Sequence, residues 1–177
     1  MKRSTFLLAA LATAGFATGS AAQERPDFSG AWTLLVSPTG GESASLGSGW
    51  GDAFTLVQNA DGLTVERAFY TRAELQPTLK FHYSLAGSET RNTVLLGRGM
   101  QVQVSTTAWE GDMLVITTMY SEPDAGDGQT VTCEVRQTLS LQAPRLAAWS
   151  PSLAIETTRC GALGGPPSTT WTVYSRN

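Results

Sequence analysis

Hydrophobic and polar residues alternate along most of this chain in short runs that are separated by turn residues. In the first run, Phe28–Val36, the side chains of Trp32 and Leu34 fall on one face. In a later run, Thr78–Leu85, one face carries the apolar side chains of Leu79, Phe81, Tyr83 and Leu85. Alternation with a period of two residues is typical of half-buried β-strands. After residue 22 no segment has a sustained helical period with start and stop signals, so the pattern predicts β structure throughout.

The turn residues between the runs predict how the strands connect. Asp61-Gly62 is a strong hairpin signal, and Trp109-Glu110-Gly111-Asp112 is typical of a tight turn. The predicted strands are Phe28–Val36, Phe54–Asn59, Leu63–Tyr70, Thr78–Leu85, Thr93–Leu96, Met100–Ala108, Met113–Tyr120, Thr130–Leu141, Leu153–Arg159 and Ser168–Ser175. Because most connections are short, we expect an all-β, antiparallel up-and-down β-barrel of about 8–10 strands. A two-sheet sandwich is the second interpretation, but it would need Greek-key crossovers.

The first 22 residues have the features of a secretory signal peptide. Lys2 and Arg3 form a basic start, Phe6–Ala17 forms an apolar centre, and Ser20-Ala21-Ala22 is a cleavage site of small residues. The apolar stretch is short for a membrane span, although an uncleaved N-terminal anchor is the alternative. We therefore expect residues 23–177 to form a single periplasmic or secreted domain with no membrane span.

Composition and charge exclude several classes of protein. With 41% hydrophobic and 15% charged residues, the chain does not resemble a disordered protein or a coiled coil. The 12 basic and 15 acidic residues give a net charge of −3. Removal of residues 1–22 takes away two basic residues, which leaves a net charge of −5. This acidic balance provides no basic surface for nucleic acid.

The two cysteines, Cys133 and Cys160, are predicted to form a disulfide, because exported proteins fold in an oxidising space. Placing them directly opposite each other in an antiparallel pair centres the turn near residue 146, within Ala143–Pro151. The same register sets Glu134 against Arg159 and Gln137 against Glu156. A metal pair or a catalytic thiol is the alternative, but neither has histidine neighbours.

The opening strand carries a motif that resembles a known family. Asp27-Phe28-Ser29-Gly30-Ala31-Trp32 resembles the signature of lipocalins and their calycin relatives, in which Phe precedes Gly-x-Trp. The resemblance implies a barrel of eight to ten strands, closed at one end by the Trp. It also implies that a basic residue of the last strand packs over the Trp ring, and Arg176 is the matching structural residue. The long first loop, Ser37–Gly51, would lie over the open mouth.

The chain is also similar to a group of small secreted bacterial proteins of lipocalin-like type. The matching segments are Phe28–Trp32, Ala108-Trp109-Glu110-Gly111-Asp112-Met113-Leu114 and Tyr174-Ser175-Arg176. The resemblance spans residues 27–177, with a Pro-rich loop in place of the usual Asp-Gly turn of the penultimate hairpin. Because such proteins mostly lack an assigned activity, the resemblance implies a fold rather than a function.

The interior of such a barrel is the main candidate site. If Trp32 points inward, the apolar residues on the same face of their strands either line a cavity or fill a core; they are Leu34, Val36, Leu63, Val65, Phe69, Phe81, Tyr83, Met100, Val102 and Val104. The same residue types serve both purposes. The expected ligand-binding residues are Trp32, Trp50, Phe69, Phe81, Tyr83 and Val104. Trp50 would act as a lid, and the glycines of its loop as hinges.

Candidate catalytic and metal chemistry is sparse. His82 is the only histidine, and its strand position predicts that it faces solvent. No Gly-x-Ser-x-Gly nucleophile motif occurs, zinc ligands are lacking, and Asp124 and Asp127 do not have calcium-loop spacing. The remaining polar candidates are Arg67 and Glu156, which an enzyme of calycin type would bring together inside the barrel.

These features predict a non-catalytic protein, without metal or cofactor, that binds a small hydrophobic or amphipathic ligand. The alternative is a structural or protein-interaction module of the cell envelope, with a filled barrel and no small-molecule ligand. The volume of the interior distinguishes the two.

Overall fold

The computed structural model describes residues 25–39, 47–71, 74–96, 99–123, 130–144, 150–161 and 165–177. Within these ranges the chain forms ten β-strands and no helix. The strands are β1 Gly30–Thr39, β2 Ala53–Gln58, β3 Gly62–Thr71, β4 Glu74–Ser84, β5 Thr90–Leu96, β6 Gly99–Glu110, β7 Met113–Pro123, β8 Thr130–Gln142, β9 Ser152–Arg159 and β10 Ser168–Arg176. The predicted signal peptide, residues 1–22, lies outside the described residues.

The described strands form one antiparallel sheet in the order β4-β3-β2-β1-β10-β9-β8-β7-β6-β5. The first strand pairs with the last, and Trp32 stands opposite Arg176 in this pair. The sheet curls until its two edges, β4 and β5, approach each other. The prediction of an all-β, up-and-down barrel is therefore confirmed, as a nearly closed barrel. Among the described residues, no helix is long and apolar enough to cross a membrane.

The seam between β4 and β5 is bridged by a side chain instead of a backbone ladder. The side-chain oxygen of Asn92 accepts a hydrogen bond from the backbone N–H of His82 at 2.8 Å, and its side-chain nitrogen donates to the His82 carbonyl at 2.9 Å. The Thr107 hydroxyl donates to the Ser84 carbonyl nearby. Asn92 is buried, so its amide takes the place of one residue of a neighbouring strand.

We expect Asn92→Leu to lower the free energy of unfolding by about 1–3 kcal/mol, because it leaves both backbone groups of His82 unpaired at a part-buried position. Denaturant titration measures the change, and hydrogen exchange of the His82 amide should become faster. Thr93→Ala, at the exposed neighbouring position, is the matched control. An unchanged exchange rate at His82 would show that Asn92 does not hold the seam.

The pairing of β8 with β9 differs from the predicted register by one residue. Val135 stands opposite Arg159, and the Cys160 N–H donates to the Glu134 carbonyl at 3.1 Å. Cys133 and Cys160 are still joined by a disulfide, with Cα atoms 5.6 Å apart. The predicted register was therefore wrong, because the bridge joins residues that are offset by one position.

A shift of one residue moves a whole set of side chains to the other face of a strand. Gln137 faces the buried Thr157, whereas Glu156 stands opposite Thr138 on the outer face. The predicted facing of Gln137 and Glu156 is therefore wrong. The polar cluster of Arg67 with Glu156, which a calycin-type enzyme would need, does not form.

Strand β6 faces the opposite way from its prediction. Met100 and Val102 are 69% and 48% exposed, and Val104 lies on the same outer face, opposite Met119. The inner face carries Ser105 and Thr107 instead. Their hydroxyl groups are satisfied inside the barrel, since Ser105 hydrogen-bonds Thr118 at 2.8 Å and Thr107 bonds across the seam. Val104 therefore does not line the interior, which corrects its assignment to the pocket.

Candidate functional site

One end of the barrel is closed by Trp32. This side chain is 1% exposed, and its Nε1 donates to the Phe28 carbonyl at 3.0 Å. The guanidinium carbon of Arg176 lies 4.9 Å from the centre of the Trp32 ring. Gly30 permits this stack, because a Cβ at that position would stand 3.1 Å from Nε of Arg176. The contact that the resemblance implies is thus present.

The opposite end of the barrel is where β10 begins and β9 ends, since Ser168 pairs with Arg159 there. At this end the segment Gly47–Gly51 enters the interior, and we call it the plug. Its sequence alternates glycine with Ser48 and Trp50, and both of these side chains are buried. The plug precedes β2, so it is the last part of the connection that begins after β1.

The glycines of the plug are required by backbone angles and by close approach. Gly47, Gly49 and Gly51 have φ values of 50°, 86° and 86°, which side-chain-bearing residues rarely adopt. A Cβ at Gly49 would stand 3.2 Å from Nη2 of Arg159, and one at Gly51 would stand 3.5 Å from Nη2 of Arg67. Gly49 thus allows the Arg159 guanidinium group to lie against the backbone, whereas a Cβ at Gly51 would only be in ordinary contact with Arg67.

Hydrogen bonds from the barrel wall hold the carbonyl groups of the plug. Arg159 Nη2 donates to the Gly47 carbonyl at 2.7 Å, and Gln137 Nε2 donates to the Ser48 carbonyl at 2.7 Å. On the opposite wall, Arg67 Nη1 donates to the Gly49 carbonyl at 3.2 Å. These contacts join residues from three different strands to one short segment.

Tyr174 adds a hydroxyl group to this set of contacts. Its hydroxyl oxygen lies 2.6 Å from Ser48 Oγ, and its O–H donates to the Gly51 carbonyl at 3.1 Å. Burial is the main cause that raises the pKa of Tyr174 above its ordinary value, so the hydroxyl stays protonated and able to donate.

The aromatic part of the site surrounds Trp50. Its ring meets Phe54 edge to face at 5.3 Å between centroids, and its centroid lies 6.3 Å from that of Tyr83. Burial raises the pKa of Tyr83, which opposes ionisation of its hydroxyl. Trp50 is therefore packed into the core and does not lie as a cover over the mouth.

Two buried hydroxyl groups on the inner face near the plug have no hydrogen-bond partner among the described residues. They belong to Thr157, which lies between Gln137 and Thr170 in the sheet, and to Thr172. Buried polar atoms are normally paired, so each of these hydroxyl groups has an unused hydrogen-bonding capacity.

The expected ligand-binding residues are distributed over both ends of the interior. Phe81 and Tyr83 lie on the inner face of β4 and belong, with Trp32 and Trp50, to one buried hydrophobic cluster. Phe69 lies in β3, and its side chain is outside the described part of the chain. His82 is exposed, as its strand position predicts.

Apart from Arg67, the sequence did not identify the residues that hold the plug. Gln137, Arg159, Thr170 and Tyr174 are separated from the plug by about half of the chain or more. The only local signal was the alternation Gly-Ser-Gly-Trp-Gly, which indicates a backbone that another group approaches closely.

A groove of about 330 Å³ lies at the end of the barrel that Trp32 closes. Its lining residues are Arg25, Asp27, Gln58, Asn59, Ala60, Leu85 and Trp109. The guanidinium carbon of Arg25 lies 5.1 Å from the centre of the Trp109 ring, and Trp109 Nε1 has no partner within the described ranges. None of the expected ligand-binding residues lines this groove.

The chain matches no protein-family model, no curated protein and no solved structure. In the described part of the chain, no three His, Cys, Asp or Glu side chains are grouped so that they could hold a metal ion.

Proposed function

We propose that this protein is an exported, lipocalin-like binding protein that holds a small amphipathic molecule inside its barrel and catalyses no reaction. The observation that carries the proposal is the polar wall around the plug. A core that serves stability alone is usually apolar, because buried polar groups cost free energy unless they are paired. An inner wall with Gln137, Thr157 and Arg159 therefore favours recognition of a ligand.

Two further observations support the lipocalin-like and exported character. The ten-strand barrel has a Trp32–Arg176 stack at its closed end. The disulfide between Cys133 and Cys160 is typical of oxidising compartments such as the periplasm. The disulfide agrees with the signal-like segment at residues 1–22.

Native mass spectrometry of protein purified from the compartment in which it folds tests the proposal directly. We expect a fraction of the molecules to carry a small molecule that is lost on collisional activation. The fluorescent amphiphile anilinonaphthalene sulfonate then serves as a defined probe, with saturable binding at one site as the expected result.

Two matched substitutions locate the probe. Leu79 lies on the inner face of β4 and packs against the core, whereas Met100 is exposed on the outer face of β6. We expect Leu79→Gln to weaken probe binding about tenfold and Met100→Gln to leave it unchanged. Absence of both a bound molecule and a saturable probe site would contradict the proposal.

The second candidate function is a protein-interaction module with a filled barrel. The observation that favours it is a cluster of exposed apolar side chains on the outer face of β6 and β7, formed by Met100, Val102 and Met119. Exposed apolar clusters often mark contact surfaces. Loss of probe binding in Met100→Gln, with Leu79→Gln unaffected, would favour this second function.

A further inference from the structure

Arg159 is a buried cation whose hydrogen-bond partners are neutral. The residue is 8% exposed, and it donates to the Gly47 carbonyl at 2.7 Å and to Thr170 Oγ1 at 3.5 Å. The ion pairs among the described residues do not include Arg159. Asp52, just after the plug, is exposed. Because a buried charge is costly without a counter-charge, the site has a surplus of positive charge in a medium of low polarity.

The groups around Arg159 are arranged to bind oxygen atoms. Gln137 and Thr170 flank Thr157 in the sheet, and both now bind carbonyl oxygens of the plug. Thr157 is fully buried, and its hydroxyl has no partner in the described structure. The amide of Gln137, the guanidinium of Arg159 and the hydroxyl groups of Thr157 and Thr170 therefore converge on a small volume. The plug accepts hydrogen bonds from all of them except the Thr157 hydroxyl.

An apolar region adjoins these polar groups. The indole ring of Trp50 occupies it and packs against Phe54 and Tyr83. The plug thus presents oxygen atoms to Arg159 and Gln137 and a flat apolar group to the aromatic wall.

Resting on the proposed function, we infer that the ligand is a carboxylate joined to a flat apolar group, and that the plug occupies its site when the protein is empty. The carboxylate takes the places of the Gly47 and Ser48 carbonyl oxygens on Arg159 and Gln137. The apolar group takes the place of the Trp50 ring. A carboxylate suits this position because its charge neutralises Arg159 and its two oxygens can accept hydrogen bonds from the guanidinium group and from the Gln137 amide.

The plug can leave without loss of the barrel ladder, because it lies outside the ten described strands. Its attachments are hydrogen bonds from side chains and the packing of one indole ring. The bonds from Gln137 and Tyr174 are neutral and contribute little net free energy, since water replaces them on release. The bonds from Arg159 and Arg67 have a charged donor but a neutral acceptor. A charged ligand that makes stronger bonds at the same positions therefore displaces the plug.

The first experiment compares three probes that share an indole-3-ethyl group and carry an anionic, a neutral or a cationic head group. Indole-3-propionate is the anion, indole-3-propanol the neutral form and tryptamine a cation, and isothermal titration calorimetry measures their binding to the full chain. We expect the anion to bind about 10- to 100-fold more tightly than the alcohol. Equal binding of anion and alcohol would overturn the inference and leave the proposed function standing. Failure of all three probes, with anilinonaphthalene sulfonate still bound, would also overturn it.

A matched pair of substitutions assigns the charge preference to Arg159. Arg159→Gln removes the buried guanidinium, and Arg136→Gln removes an exposed one that pairs with Glu110 at 2.7 Å. We expect the preference for the anion to disappear in the first variant and to persist in the second. Persistence of the preference in a folded Arg159→Gln protein would overturn the assignment. If that variant does not fold, the comparison of the three probes on the wild-type protein decides.

Displacement of the plug is tested by weakening it. Ser48→Ala removes the contact with Tyr174 and the bond from the Trp50 N–H to Ser48 Oγ at 3.2 Å. Because the plug competes with the ligand, we expect this variant to bind indole-3-propionate about twofold to tenfold more tightly. Unchanged or weaker binding would show that the plug does not compete for the site.

Discussion

Trp32→Ala is expected to lower the free energy of unfolding by about 3–5 kcal/mol. The substitution removes a fully buried side chain at the closed end and leaves a cavity in its place. It also leaves the Phe28 carbonyl without its indole donor, and it removes the surface on which Arg176 stacks. Denaturant titration followed by circular dichroism measures the change without relying on tryptophan emission.

Trp171→Ala is the matched control for this prediction. Trp171 lies on β10, the strand that pairs with β1, but it is 39% exposed on the outer face. The same truncation there should change the free energy of unfolding by less than about 1 kcal/mol. If the two variants lose similar stability, Trp32 does not have the closing role that its burial implies.

Removal of the disulfide is expected to have the second largest effect. Cys133 and Cys160 are 27 positions apart, and a bridge over a loop of this size stabilises a protein by about 3–4 kcal/mol, mainly by restricting the unfolded chain. The Cys133→Ala, Cys160→Ala double variant should therefore unfold at lower denaturant concentration than the oxidised wild-type protein.

The double variant also provides the control for reduction. A thiol reductant should lower the stability of the wild-type protein to that of the variant and should not affect the variant. Intact mass measurement of the exported protein should give two hydrogens less than the fully reduced chain. A mass equal to that of the reduced chain would mean that the bridge is not formed in the cell.

The strands were predictable from local sequence because each one is defined by alternation and bounded by turn residues. The strand predicted at Leu63–Tyr70 corresponds to β3 at Gly62–Thr71, and the turn at Gly111-Asp112 joins β6 to β7 as expected. The hydrophobic pattern predicted the wrong inner face for β6, because the inner face of that strand is polar. Ser105 and Thr107 face inward because partners on β7 and β4 satisfy their hydroxyl groups, and a single strand carries no record of those partners.

The candidate site was less predictable than the fold, because its parts are distant in sequence. Tyr83 could be named from its residue type and strand position, and Trp50 from its residue type within the glycine-rich loop. Arg159 could not be named, because the register predicted from the two cysteines paired it with Glu134 on the outer face. The observed register differs by one residue and pairs Arg159 with Val135. Its partner, the Gly47 carbonyl, is a backbone atom and leaves no sequence signal apart from glycine itself.

The position of the seam has a consequence for how the chain folds. Every strand pair but one joins neighbours in sequence, and the exception is the pairing of β1 with β10. Closing that pair requires an encounter between segments separated by most of the domain, which is a slow step. A circular permutant that joins residue 177 to residue 25 and begins in the turn before β5 would have the strand order β5 to β10 followed by β1 to β4. Each ladder would then be a local hairpin, so the permuted chain should have a lower contact order and reach the same barrel faster.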